Sequence, residues 1–184
     1  VENAELYKQI EEQAITDGLT KVFNYRYFMD VLSREIERAR RFQEALCLLM
    51  LDVDNLKTYN DAFGHLAGSR ALTELADMLR LAARSIDVIA KYGGDEFAVI
   101  LPHTDADGAV QFSRRVIEAV GDHLFEGDPR KRLTVSMGIA TFPHSASDGT
   151  NLLKMADRAL YQAKHSGKNR YAILYMPSPD GVYS

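Results

Sequence analysis

The sequence predicts an α/β (α+β) domain: a mixed central sheet flanked by helices, with one antiparallel hairpin inserted in it. Three observations carry this. Short apolar segments alternate with segments of helical periodicity along the chain. The run Ala45-Leu46-Cys47-Leu48-Leu49-Met50-Leu51 is unbroken, the pattern of a strand buried on both faces. Gly93-Gly94 joins two short strands, a hairpin signal because both positions can take positive φ.

The elements follow in order. Residues 1 to 15 read as a helix, with Leu6, Ile10 and Ala14 at helical spacing on a charged background. It is the end of a linker from an upstream sensor or receiver domain, or a plain terminal helix. Thr16-Asp17-Gly18-Leu19-Thr20 breaks that pattern as a loop. Residues 25 to 43 resume helical spacing, with Phe28, Val31, Leu32, Ile36 and Ala39 on one face. A strand is expected over residues 45 to 53. A helix follows over residues 67 to 84, with Leu72, Leu75, Leu79 and Ala82 facing the core. Strands over residues 87 to 92 and 95 to 101 flank the glycine pair. Residues 105 to 121 are helical, 132 to 142 extended, 149 to 166 helical and 170 to 175 a last strand. One domain is expected over residues 16 to 176, with a frayed tail over residues 177 to 184.

The bulk numbers agree. A chain of 184 residues suits one domain and buries about 70% of its unfolded surface. A net charge of −4 argues against nonspecific nucleic-acid binding, while leaving room for a local basic site for phosphate. The single cysteine, Cys47, forms no internal disulfide, and zinc-ligand spacing is absent. Its place in the apolar run marks it as a core thiol. That run is too short to span a bilayer, and no signal peptide is visible. The chain opens in mid-helix without a methionine, which reads as a piece of a larger cytoplasmic signalling protein with no membrane contact of its own.

Chemistry concentrates at two acidic clusters. Asp52 and Asp54 lie at the C-terminal end of the buried strand, the end at which open α/β sheets bind ligands. Asp95 and Glu96 directly follow the glycines. If the hairpin packs beside that strand, three or four carboxylates converge. Their repulsion is relieved by a hard divalent cation such as Mg²⁺, which prefers oxygen ligands. The basic counterparts are Lys57, Lys164 and Lys168. The last two are four apart at the end of the final helix and would share a face. They fit a triphosphate, or simply complement the helix dipole.

These residues carry a family resemblance. Tyr92-Gly93-Gly94-Asp95-Glu96-Phe97 resembles the signature of GGDEF domains, the diguanylate cyclases. The likeness runs from Asp17 to about Arg170. Asp17-Gly18-Leu19-Thr20 is similar to the family's DxLT motif, and Asn24-Tyr25-Arg26 to its NRR element. Asp52-Val53-Asp54-Asn55-Leu56-Lys57 is similar to DxDxFK, with Leu56 in place of Phe. Tyr59-Asn60-Asp61, then Gly64-His65, resembles IND…GH, and Ala163-Lys164 to Gly167-Lys168-Asn169 resembles AKxxGRN. His65 is the one histidine inside a motif; the other four read as surface residues.

The resemblance implies a fold like adenylyl cyclases and polymerase palms. It implies that two nucleoside triphosphates condense into a cyclic dinucleotide with loss of two pyrophosphates. It also implies two Mg²⁺ ions per site, with Mn²⁺ as a substitute, on Asp52, Asp95, Glu96 and the Val53 carbonyl. Asp95 would help deprotonate the attacking hydroxyl. Lys57, Lys164 and Lys168 would hold phosphates, and Asn60 the base edge. Each domain holds one nucleotide, so a homodimer is implied. Arg84-Ser85-Ile86-Asp87 resembles the RxxD site where cyclic product inhibits, although such a pair is often only a surface ion pair.

One departure is informative. Where the family has Asp after Gly64-His65-Leu66-Ala67-Gly68, this chain has Ser69. A carboxylate only accepts hydrogen bonds and suits guanine's donors, whereas a hydroxyl both donates and accepts. Serine at this position resembles the hybrid promiscuous branch that makes cyclic GMP-AMP from GTP and ATP. Three readings stand: relaxed base choice, an ordinary diguanylate cyclase with weaker guanine binding, or loss of activity. A noncatalytic nucleotide-binding module is a further alternative, though the intact acids Asp52, Asp95 and Glu96 oppose it.

Overall fold

The computed structural model describes residues 15–174. The predicted helix over residues 1 to 15 and the tail lie almost wholly outside the described residues. In chain order the elements are α1 (Tyr25–Phe42), β1 (Leu46–Asp54), α2 (Leu56–Phe63), α3 (His65–Ala82), β2 (Val88–Lys91), β3 (Glu96–Pro102), α4 (Ala106–Asp122), a 3₁₀ turn (Phe125–Gly127), β4 (Thr134–Phe142), α5 (Gly149–His165) and β5 (Tyr171–Ile173).

The five strands form one mixed sheet in the order β2-β3-β1-β4-β5. Antiparallel pairing extends beyond the expected hairpin. β1 runs antiparallel to both neighbours, and only β4 and β5 pair in parallel. All nine residues of β1 are buried, because the strand is central and both faces carry helices. Cys47, Leu49, Leu51 and Val53 face α3 and α4. Leu46, Leu48 and Met50 face α1 and α5. Alternation therefore turns Asp52 and Asp54 toward the α1/α5 side.

Local chemistry starts the helices where the sequence says. The Asn24 side chain accepts a hydrogen bond from the Tyr27 N–H at 3.0 Å and caps α1. Phe28, Val31, Leu32, Ile36 and Ala39 are buried, as their spacing predicts. Asp105 and Asp148 cap α4 and α5 in the same way. The Asp17 carboxylate accepts from the Thr20 N–H at 2.8 Å and the Thr20 hydroxyl at 2.6 Å, closing the turn that the DxLT-like motif encodes. Phe23 then adds to the β2 edge: its N–H donates to Ile89 O, and Lys91 N–H donates to Phe23 O.

Two expectations about the helices need correction. Residues 56 to 63 form a separate helix, α2, which the periodicity did not resolve. Lys168 is not on the last helix: α5 ends at His165, and the chain leaves it through Gly167, Lys168 and Asn169, all with positive φ.

Candidate active site

The β1–β3 ladder assembles the acids. Asp52 pairs directly with Glu96, so both side chains leave the same face of the sheet. One residue further, the Val53 N–H donates to the Asp95 carbonyl at 3.2 Å. That bond holds Asp95 at the end of β1. Asp52 is only 7% exposed. Burial pushes its carboxyl above the usual carboxylate range, the charges of Asp95 and Glu96 add to this, and Lys164 pulls it only part of the way back.

The turn between β2 and β3 differs from the expected two-residue hairpin. Four residues, 92–95, connect the strands. Tyr92 N–H and Gly93 N–H both donate to Glu96 O, at 2.9 and 3.2 Å. Neither Gly93 nor Gly94 has positive φ. A Cβ at Gly93 would lie 2.6 Å from Glu96 Oε2, so a larger residue there would displace the Glu96 carboxylate. The Tyr92 ring meets Tyr25 and Phe28 edge-on, at centroid distances of 5.2 and 5.8 Å, and ties the turn to α1.

The lysines divide. Lys164 Nζ lies 2.7 Å from Asp52 Oδ2. Gly138 explains how it gets there. A Cβ at Gly138 would sit 2.1 Å from both Ala156 O and Leu160 N, so α5 rests directly on β4. Gly138 pairs with Met50, and Ser136 pairs with Asp52. Two residues along the strand and one turn along the helix are both close to 6 Å. Contact at Leu160 therefore delivers Lys164 over Asp52. Lys168 Nζ donates to Asn55 Oδ1 at 2.5 Å. Lys57 is exposed in the first turn of α2.

Asp54 does not join the cluster. It accepts from Thr134 Oγ1 and Ser136 Oγ, each at 2.7 Å, and from Asn169 N–H at 3.0 Å. Three donors consume its charge in fastening β4 and the loop after α5 to β1. The convergent acids are Asp52, Asp95 and Glu96.

Among the described residues, no three Asp, Glu, His or Cys side chains already stand close enough to ligate one metal. The donor chemistry nonetheless fits Mg²⁺: an all-oxygen set, with one member buried and charged against its neighbours. Lys164 supplies the positive charge that Asp52 meets here.

The residues expected to read the base, Asn60 and Ser69, lie on the neighbouring helices α2 and α3. Gly68 of α3 faces Asn60 of α2, and a Cβ at Gly68 would fall 1.8 Å from Asn60 Oδ1. That oxygen is buried without a hydrogen-bond partner among the described residues. Ser69 is the next residue, half-buried. Its carbonyl accepts from Thr73 Oγ1 at 3.1 Å.

Arg84 and Asp87 form a closed pair away from the acids. Arg84 Nη2 donates to Asp87 Oδ1 at 2.8 Å, Thr104 Oγ1 at 2.6 Å and Pro102 O at 3.0 Å. The Asp87 side chain is 2% exposed and the Arg84 side chain 50%. Lys21, Arg80, Arg84 and Asp87 line a cavity of about 210 Å³.

Sequence reasoning missed Lys91. Its Nζ donates to Gly94 O at 2.6 Å and lies 4.5 Å from the centroid of the Phe97 ring. Burial lowers its ammonium below the usual lysine range, against the charges of Asp17, Asp95, Glu96 and Asp52. Alternation with Ile89 places Lys91 on the Phe97 face, the one signal available in the sequence.

An acid-ended, helix-covered mixed sheet of this kind is a fold shared with solved proteins. Residues 14–170 match the family described as "Diguanylate cyclase, GGDEF domain". The chain is 36% identical over 170 residues to the probable diguanylate cyclase DgcC of Escherichia coli K12, covering 92% of this chain and 46% of that protein. It is 36% identical over 161 residues to the response regulator PleD of Caulobacter vibrioides, covering 86% of this chain and 36% of that one. The coiled coil and GGDEF domain of DgcB from Caulobacter crescentus, solved in complex with c-di-GMP, superimposes with a TM-score of 0.85. That match has 29% identity and covers 94% of this chain and 92% of the other. The chain belongs to the GGDEF family, the diguanylate cyclases. It spans less than half the length of those two curated relatives. Among the described residues, no helix is long and apolar enough to cross a membrane.

Proposed function

We propose that the domain condenses two nucleoside triphosphates, GTP foremost, into a 3′,5′-cyclic dinucleotide. The observation that supports this most is the cross-strand pairing of Asp52 with Glu96, with Asp95 tied to Val53 and Lys164 set on Asp52. In each half-reaction a 3′-hydroxyl oxygen bonds to the α-phosphorus of the other nucleotide. The bond from that phosphorus to the bridging oxygen breaks, and pyrophosphate leaves. The hydroxyl proton passes to a carboxylate, for which Asp95 is the candidate. Asp52, Asp95, Glu96 and the Val53 carbonyl would hold magnesium, which would supply Lewis-acid activation of the hydroxyl and charge compensation for the phosphates. Lys57, Lys164 and Lys168 bind phosphate oxygens, with Lys164 passing from Asp52 to the triphosphate.

Each domain presents one nucleotide, so turnover requires a homodimer with the sites face to face. Arg84 and Asp87 form the product-inhibition site; opening their ion pair exposes donors and acceptors for a cyclic dinucleotide. The response-regulator name of PleD supports an upstream receiver or sensor domain.

Base choice follows from Asn60 and Ser69. Among the described residues nothing bonds the Ser69 hydroxyl, which leaves it free to donate or accept toward either purine. A site discriminates strongly when the wrong partner leaves buried groups unpaired, and serine relaxes that penalty. The domain therefore accepts ATP beside GTP and makes cyclic GMP-AMP as well as c-di-GMP. Incubation with equal ATP and GTP and Mg²⁺, with products identified by mass spectrometry, tests this. Mixed product is expected; c-di-GMP alone means a strict diguanylate cyclase.

A further inference from the structure

We propose that Lys91 is a positioning residue for the catalytic turn: its ammonium clamps the Gly94 carbonyl and so holds Asp95 and Glu96 in register with Asp52. The inference rests on the cyclase reading above and deepens it.

The geometry has two sides. On the α1/α5 face, Asp52 and Glu96 stand opposite each other across β1 and β3. On the other face, Lys91 pairs across the hairpin with Phe97. Lys91 thus lies behind the sheet from those two acids and acts through backbone. Its 2.6 Å bond to Gly94 O crosses the base of the turn, and Asp95 is the next residue. The rest of the turn is held by two N–H groups that share Glu96 O, by the Val53 N–H bond to Asp95 O and by the Tyr92 ring on α1, none of which engages Gly94. Gly94 has nothing within 4 Å of a Cβ position, so side-chain packing does not hold it there. The lysine stem is fixed from both ends. Its ammonium sits over the Phe97 ring, and its own N–H donates to Phe23 O at 2.8 Å. A cation at this position also lies in the field of Asp17 and of the three acids, where it offsets their mutual repulsion without occupying the substrate side.

The competing account is that Lys91 only packs its methylenes on Phe97. Lys91→Met keeps that packing and removes the donor; Lys91→Arg keeps a cation and a donor. Two readouts separate the accounts. Amide exchange at residues 92–96 is measured without metal or nucleotide, and pyrophosphate release is measured with GTP and Mg²⁺. The clamp predicts faster exchange in Lys91→Met, a kcat reduced about tenfold or more, and a KM for GTP within about threefold of wild type. Lys91→Arg restores both. Melting temperatures of the three proteins should stay within a few degrees. Unchanged exchange, or faster exchange with unchanged kcat, overturns the proposal. Pyrophosphate release is measured on chains dimerised through a fused coiled coil; if the wild-type dimer releases none, the cyclase reading fails, and the exchange arm alone then upholds or overturns the clamp.

Discussion

Asp52 and Asp54 are two residues apart on one strand face, yet they serve different ends. Asp54 spends its oxygens on Thr134, Ser136 and Asn169, while Asp52 is left with Lys164 and two acidic neighbours. The sequence marks both as candidates and does not separate them, because the separating donors arrive from β4 and from beyond α5. Ser69 is the reverse case, since a single letter is informative although nothing bonds its hydroxyl among the described residues. A Ser69→Asp variant should shift the product mixture toward c-di-GMP, read by mass spectrometry; an unchanged mixture would remove Ser69 from base selection. Cys47 is inert by burial. Its thiol donates to the Thr104 and Asp105 carbonyls at 3.1 and 3.2 Å, and burial pushes its pKa up to about 12. The folded value exceeds the free-thiol value of about 8.5, so the protonated form favours folding. That contribution is complete below the free-thiol value and is lost as pH rises toward about 12. Iodoacetamide at neutral pH should leave the native chain unlabelled and label the denatured chain once. Rapid native labelling would contradict the packing.

At the scale of elements, long periodic segments were legible and short ones were not. α1 shows five core residues on one face. α2 has eight residues and buries only Leu56 and Tyr59, too few to set a period before Gly64 ends it at φ 88°. The spacing of Lys164 and Lys168 suggests a shared helix face, but the left-handed backbone at Gly167, Lys168 and Asn169 takes Lys168 off the helix and carries no apolar signal. The seat of α5 on β4 is the packing contact that most directly positions the site. Gly138→Val would drive side-chain atoms into the backbone at Ala156 and Leu160. It should cost about 3 kcal/mol and lower Tm by about 10 °C, with loss of the Lys164–Asp52 contact and of turnover. A variant melting like wild type would show that α5 does not rest on Gly138.

At the scale of the whole molecule, strand order decides what meets what. The order β2-β3-β1-β4-β5 sets the glycine turn on one side of β1 and the β4/α5 unit on the other. Periodicity within segments cannot supply that order, because strand pairing is non-local. Family likeness supplies it, and it explains how Asp52, Asp95 and Lys164 come together from distant parts of the chain. The central claim is that this assembly transfers nucleotidyl groups. It is tested most directly by mixing the domain, dimerised through a fused coiled coil, with GTP and Mg²⁺ and counting pyrophosphate against product. The account predicts two pyrophosphates for each cyclic dinucleotide, and loss of both signals in Glu96→Gln. Release of orthophosphate, or no pyrophosphate from the dimerised domain, would contradict it.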